Sequence, residues 1–465
     1  MKNLSRRSFL ASSLRASLFG AYALNGAALN GAAASQSGAR SIPWSNWSGG
    51  QLCQPAGRID VSDEEELVRF LKTSSGPIRP IGSGHSFSAL VPTDGHLVVI
   101  DQLGGILDYD SDTLQTTIGA GSRLGDLGAQ LDAIGQGMLN LPDIDRQTLA
   151  GATATGTHGT GLSLQCLSAY ITELRLITAN GDVMDIDASD GDLFDAVRVN
   201  VGALGVVSRI RMQNRAAYRL KKREWVAPTE DMLTNFDELA ASHRHFEIFP
   251  LVYSDYSLVL AIDEVDESKA EAEEAVAEGE EIALSDLREL GDNPTPLERL
   301  TRNNALVANT QATESVDVSH KILTNVRNNR FNEMEYSVPI EAGAECVREI
   351  LKTIYDRAID VAFPLEYRYV SGDDPWLSMA YGAEPHATIS IHRTASEDYS
   401  PYFDIIEPIF WKYGGRPHWG KLHNLTHREL IQLYPRFKDF MEIRESLDPT
   451  GRMLNKHLRT LFDVP

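Results

Sequence analysis

Between residues 150 and 161 the chain reads Ala150-Gly151-Ala152-Thr153-Ala154-Thr155-Gly156-Thr157-His158-Gly159-Thr160-Gly161, and of these twelve residues His158 alone is large. So little side-chain surface makes a poor helix or strand, because there is almost nothing to bury. The run reads instead as backbone laid against a flat or charged ligand, where a missing Cβ lets main-chain N–H groups approach closely. Two other segments share this texture. Arg79-Pro80-Ile81-Gly82-Ser83-Gly84-His85-Ser86-Phe87-Ser88 places glycines on both sides of a small polar residue, and Asn200-Val201-Gly202-Ala203-Leu204-Gly205-Val206-Val207 places them beside a strand. Singly, each reads equally well as a tight turn; jointly they point to one ligand cradle. Rossmann, P-loop, nucleophile-elbow and H-E-x-x-H patterns are absent from the sequence.

Around these segments the pattern is α+β. From about residue 60 to 215 helix and strand signals alternate. Ser62 stands where a helix N-cap is expected, ahead of Asp63 to Glu66. Hairpins are expected around Asp110-Ser111-Asp112 and around Asn180-Gly181, the latter a strong two-residue turn signal. Residues 216–435 carry longer runs, among them the strand-like Leu251 to Ile262 and Met334 to Val338, and a helical Ala342 to Ile359. Within them an acidic insertion spans 262–294, with thirteen Asp or Glu against Lys269 and Arg288. It reads as an exposed helix or an insertion. The expected organisation is a ligand-binding domain over 45–215, a second α+β domain over 216–435 capping it, and a return of 436–465 to the first.

Charge and length narrow the partners. With 43 Lys and Arg against 65 Asp and Glu in 465 residues, a net charge of −22 repels a phosphate backbone, so nucleic acid is not an expected partner. Nothing beyond residue 40 offers the uninterrupted apolar run of a membrane span, so no stable membrane insertion is expected. The first 34 residues run from a basic start through a Leu/Ala/Phe-rich stretch to Gly31-Ala32-Ala33-Ala34, the order of a secretory signal. Within it Ser5-Arg6-Arg7-Ser8-Phe9-Leu10 matches the twin-arginine type, so the export machinery is an expected partner and a periplasmic or secreted location the expected destination. Three cysteines, Cys53, Cys166 and Cys346, exclude a disulfide framework.

In this order and at these separations, RPIGSGHSFS, GATATGTHGTG and NVGALGVVSRI resemble the FAD-binding domain of the vanillyl-alcohol oxidase superfamily. His245 to Pro250, Arg330 to Pro339, Phe363 to Arg368 and Arg416 to Lys421 are similar to its aldonolactone oxidase branch, which includes D-arabinono-1,4-lactone, L-gulono-1,4-lactone and alditol oxidases. The resemblance implies FAD held by Arg79, Ile81, Gly82, Ser83, Gly84, His85 and Ser86, by Gly151, Thr155, Gly156, Thr157, His158, Gly159 and Gly161, and by Gly205, Val206 and Val207. It makes His85 the ring covalently attached to the flavin. A sugar lactone or polyol is the implied substrate, with oxygen or a respiratory carrier as electron acceptor.

Glu366 and Arg368 are two apart, so on a strand they share a face, where a carboxylate and a guanidinium can hold sugar hydroxyls. By itself the pair reads more readily as a surface ion pair. With the resemblance it becomes catalytic, together with Lys421 as a second cation and His392 as a group that activates the substrate hydroxyl. Without it Lys421 reads as a solvated lysine and His392 as a core histidine. His418, His423 and His427 lack the carboxylate or cysteine arrangement of zinc sites, so no metal is expected. Ala152 stands where some polyol-oxidising relatives have serine, so alditol specificity does not transfer directly, and a lactone or another sugar alcohol stays open.

Overall fold

The computed structural model describes residues 41–465 apart from 266–293 and the single positions 309, 326 and 328. The expected export signal and most of the acidic insertion therefore lie outside the described residues. Helices and sheets are mixed throughout, as the α+β pattern leads one to expect. Strands β1 (Gly57–Asp60), β2 (Ile78–Ile81) and β3 (His96–Val99) form a parallel sheet in the order β1-β3-β2. Helix α1 (Glu64–Thr73) makes the crossover from β1 to β2. Its N-cap is Asp63, not Ser62: the Asp63 carboxylate accepts the Glu66 N–H at 2.7 Å, while the Ser62 hydroxyl donates to the Glu66 carboxylate at 2.9 Å.

A five-stranded antiparallel sheet contains β4 (Ile106–Asp110), β5 (Gln115–Gly119), β6 (Ile171–Ile177), β7 (Val183–Asp187) and β8 (Val206–Gln213), ordered β7-β6-β8-β5-β4. Both expected hairpins are present as β4–β5 and β6–β7. One expectation fails here. Part of the small-residue run is helical, α2 (Leu149–Ala154), because Leu149 is fully buried and the Thr148 hydroxyl caps the turn by accepting the Gly151 N–H at 3.2 Å.

The third sheet has eight strands, all antiparallel: β9 (Arg219–Pro228), β10 (His245–Pro250), β11 (Tyr256–Glu264), β12 (Thr313–Val318), β13 (Phe331–Pro339), β14 (Glu366–Val370), β15 (His386–Thr394) and β16 (Arg416–Pro417), in the order β12-β9-β11-β10-β14-β15-β13-β16. The run expected as one strand from Leu251 to Ile262 is broken by a turn over 251–255, since Asn304 Oδ1 accepts from the Ser254 hydroxyl and the Asp255 N–H, both at 2.9 Å. Ile262 to Glu264 belong to β11 and not to the acidic insertion.

Register divides this sheet into two unlike faces. On one, Ile248, Tyr367, Ile389 and Tyr336 stand in a row across four strands, each with no exposed surface. Helices α3 (Gly343–Asp356) and α4 (Ser400–Lys412) cover it, with Phe410 stacked on Tyr336 at 4.8 Å. Burial of each such side chain contributes roughly 1.5–3 kcal/mol. On the other face the rows are polar: Glu247, Arg368, Thr388 and Ser337; then Glu366, Ser390 and Glu335; then His392 and Glu333. The C-terminal tail packs back against the first half of the chain. Ile78 N–H donates to the Arg452 carbonyl at 2.7 Å, and the Asn455 amide donates to the carbonyls of Ala89, Leu90 and Pro92.

Candidate active site

The three glycine-dense segments meet at one cleft. The loop after β2 contributes Gly82, Ser83, Gly84, His85 and Ser86, the α2 segment contributes Gly151 and Thr155, and the start of β8 contributes Gly205, Val206 and Val207. Close approach explains the glycines: a Cβ on Gly82 would stand 2.2 Å from the Thr148 hydroxyl, and one on Gly205, at φ +154°, 2.5 Å from the Ile177 carbonyl. The Ser83 hydroxyl is buried with no hydrogen-bond partner among the described residues. Walls of bare main chain and a buried hydroxyl without a partner among the described residues fit the phosphates of a dinucleotide such as FAD.

Arg79 and Ile81 also reach the wall. The Arg79 guanidinium, however, donates to the carbonyls of Leu90, Val201, Gly202 and Met453 at 2.5–2.8 Å. It ties separate chain segments together behind the cleft, and complete burial draws its pKa down to about 9.

Gly156, Thr157, His158, Gly159 and Gly161, expected at the same ligand, do not line this cleft. The run leaves it after Thr155 and crosses to the polar face of the large sheet. There the Thr160 hydroxyl donates to Glu247 at 2.5 Å, the Gly161 N–H to the Tyr369 carbonyl at 2.9 Å, and His158 Nε2 lies 3.1 Å from Glu335. One stretch thus joins the cofactor cleft to a charged wall.

That wall brings the four expected catalytic residues together. Arg368 Nη1 is 2.9 Å from Glu366 and Nη2 is 3.3 Å from Glu335. The Lys421 ammonium donates to Glu333 at 2.5 Å, and His392 Nε2 is 3.6 Å from the same carboxylate. Lys421 is delivered by a loop pinned to the segment after His85: the Phe87 N–H donates to the Gly420 carbonyl at 2.7 Å and the Ser88 hydroxyl to the Trp419 carbonyl at 2.6 Å. His85 stacks on Trp47 with ring centroids 5.2 Å apart. Burial, then the charges of Lys421, Arg123 and Arg146, lower its pKa to about 4, so the ring is neutral at physiological pH.

Sequence reasoning passed over Glu247, Glu333 and Glu335. Burial raises the Glu333 and Glu335 carboxyls, but Lys421 and His392 for the first, and His158 and Arg368 for the second, outweigh it and hold both well below the ordinary range. Glu247 goes the other way: burial and the neighbouring Glu366 push it to about 7 despite Arg368. The available signal was two acids, Glu333 and Glu335, alternating with Met334 and Tyr336 along one strand. Among the described residues, His418 groups with His158 and Glu335, one ligand atom of each lying within 4.8 Å of the others, and not with His423 or His427.

The chain can now be compared with known proteins. An FAD binding domain profile matches residues 55–187 and the D-arabinono-1,4-lactone oxidase profile matches residues 210–461. The L-gulono-1,4-lactone dehydrogenase of Mycobacterium tuberculosis is 36% identical over 428 residues, covering 90% of this chain and 99% of that protein. The L-gulonolactone oxidase of Mus musculus is 28% identical, covering 91% and 99%. A cholesterol oxidase structure from Brevibacterium sterolicum superimposes with a TM-score of 0.74 at 15% identity over 90% of this chain and 96% of its own, a likeness of fold. With an FAD cradle in its first half and a family match across its charged wall, the chain belongs to the D-arabinono-1,4-lactone oxidase family.

Proposed function

We propose that this protein is an FAD-linked oxidoreductase that oxidises a CH–OH group of an aldono-1,4-lactone and passes the electrons to oxygen, giving hydrogen peroxide. The observation that carries the reading is the junction of a glycine-walled cleft with a buried wall bearing Arg368, Lys421 and His392. Gly82 to Ser86, Gly151, Thr155 and Gly205 to Val207 hold the cofactor in this reading. Bound FAD supplies a two-electron acceptor for the carbinol C–H. The Arg368 guanidinium, fixed between Glu335 and Glu366, donates to substrate oxygens, and Lys421 stabilises the negative charge that develops as the C–H bond breaks. His392 accepts the hydroxyl proton. Ser337, Thr388 and Ser390 on the same face are buried, with hydroxyls that have no partner among the described residues, which suits a polyhydroxylated substrate.

Anaerobic mixing with a panel of aldonolactones and alditols should bleach the flavin absorbance, fastest with a lactone, and air should restore it. Absence of bleaching with every compound would refute the activity. Bleaching followed by stalled recovery in air, with rapid reduction of an added dye, would replace oxygen by another carrier. The dehydrogenase name of the 36%-identical relative favours that second reading of the acceptor.

His85 is proposed as the point of covalent attachment. A neutral imidazole nitrogen at the cleft wall is a competent nucleophile toward the flavin methyl position. Acid precipitation should leave the yellow colour in the pellet for wild type and release it for His85→Ala; colour in the wild-type supernatant rules the bond out.

Export is proposed from the Arg6-Arg7 segment. Changing both arginines to Lys should strand the protein in the cytoplasmic fraction, and unchanged fractionation would count against a twin-arginine route.

A further inference from the structure

Strand β13 carries Glu333 and Glu335 two residues apart on one face, and each is almost fully buried, at 4% and 1% exposure. Buried carboxylates are costly unless paired. These two are paired with functional cations and with histidines. Glu333 takes the Lys421 ammonium at 2.5 Å and faces His392 at 3.6 Å; Glu335 takes Arg368 at 3.3 Å and faces His158 at 3.1 Å. The partners come from four different places in the chain: the loop after β16, strand β15, strand β14 and the glycine-rich run. No other strand of the sheet touches all four among the described residues.

Resting on the function proposed above, we propose that Glu333 and Glu335 are positioning residues, a two-carboxylate rail that fixes Lys421, His392, Arg368 and His158 relative to one another so that the substrate meets a preset array of charge. The need for such a rail is physical. Lys and Arg side chains lose much rotamer freedom when fixed, and an array that must be ordered at each turnover would raise the barrier by that cost. Charge-assisted contacts to a rigid central strand remove the freedom beforehand. Arg368 already supplies the positive charge on Glu335 that a metal ion held with His158 and His418 would otherwise bring.

The test compares holoprotein of wild type, Glu333→Gln, Lys421→Met and the double variant. If Glu333 positions Lys421, Glu333→Gln should lower the rate of flavin reduction on the order of 100-fold while KM changes by less than about threefold, since a misplaced group spoils the transition state more than ground-state binding. Thermal melting supplies a second measurement that needs no turnover. Each single variant leaves one buried charge unpaired and should melt well below wild type, whereas the double variant should recover much of the loss. A rate within threefold of wild type for Glu333→Gln, or strictly additive melting shifts, overturns the rail. A wild type that no lactone or alditol bleaches would refute the function, and the melting cycle alone would then decide whether Glu333 and Lys421 are coupled.

Discussion

Arg368→Ala should slow anaerobic flavin reduction by roughly two to three orders of magnitude, the scale found when one preorganised charge-stabilising donor is removed. The residue is 8% exposed and its two terminal nitrogens are already committed to Glu366 and Glu335, so it cannot be replaced by mobile solvent cations. Burial alone would lower its pKa, but Glu366, Glu335, Glu247 and Glu333 together raise it and keep the guanidinium charged. Truncation also leaves buried carboxylates unpaired, so a stability loss of about 3–5 kcal/mol should accompany the rate loss. Arg368→Lys separates the two effects. One ammonium restores net charge and part of the melting temperature, yet it cannot bridge two carboxylates in a planar fork, and the reduction rate should stay low. Stopped-flow bleaching beside thermal denaturation makes the measurement; a lysine variant at full rate would show that charge without geometry suffices.

The second large effect is acid lability. His245 and His418 are 1% and 4% exposed, and burial lowers their pKa values to about 4 and about 3. His386 and His457 are lowered by burial to about 4 in the same way. A histidine whose folded pKa lies below its unfolded value of about 6.5 binds a proton in the unfolded chain first. Stability is therefore unaffected above pH 6.5 and falls as pH drops from there toward 4, where the folded groups begin to protonate. Shifts of this size are worth roughly 3–5 kcal/mol each when fully expressed. Melting temperature should thus decline steeply between pH 6.5 and 4. His245→Asn keeps a donor for the Thr160 carbonyl, which His245 Nδ1 meets at 2.7 Å, and should flatten part of that slope whatever its effect at neutral pH. A melting temperature indifferent to pH over this window would disprove the assignment.

Much of the local structure was legible residue by residue. Hairpins at Asp110 and Gly181 follow from turn chemistry, which acts within a few residues. Leu251 to Ile262 misled because an apolar run does not reveal a turn held by a distant side chain, here that of Asn304. Residues 156–161 show a related limit: small residues announce close backbone approach, but that Gly161 meets Tyr369 and Thr160 meets Glu247 is set by the fold.

Composition and short-range pattern by themselves determined that this chain builds an α+β fold with a glycine-walled ligand cradle, because missing Cβ atoms and period-two apolarity are properties of single segments. Tertiary structure alone decided how the charges pair. Glu333 meets Lys421 across 88 residues of sequence, and Thr160 meets Glu247 across 87. A carboxylate on a strand announces its face, whereas its counter-ion is chosen by sheet order and loop closure, which no local pattern encodes.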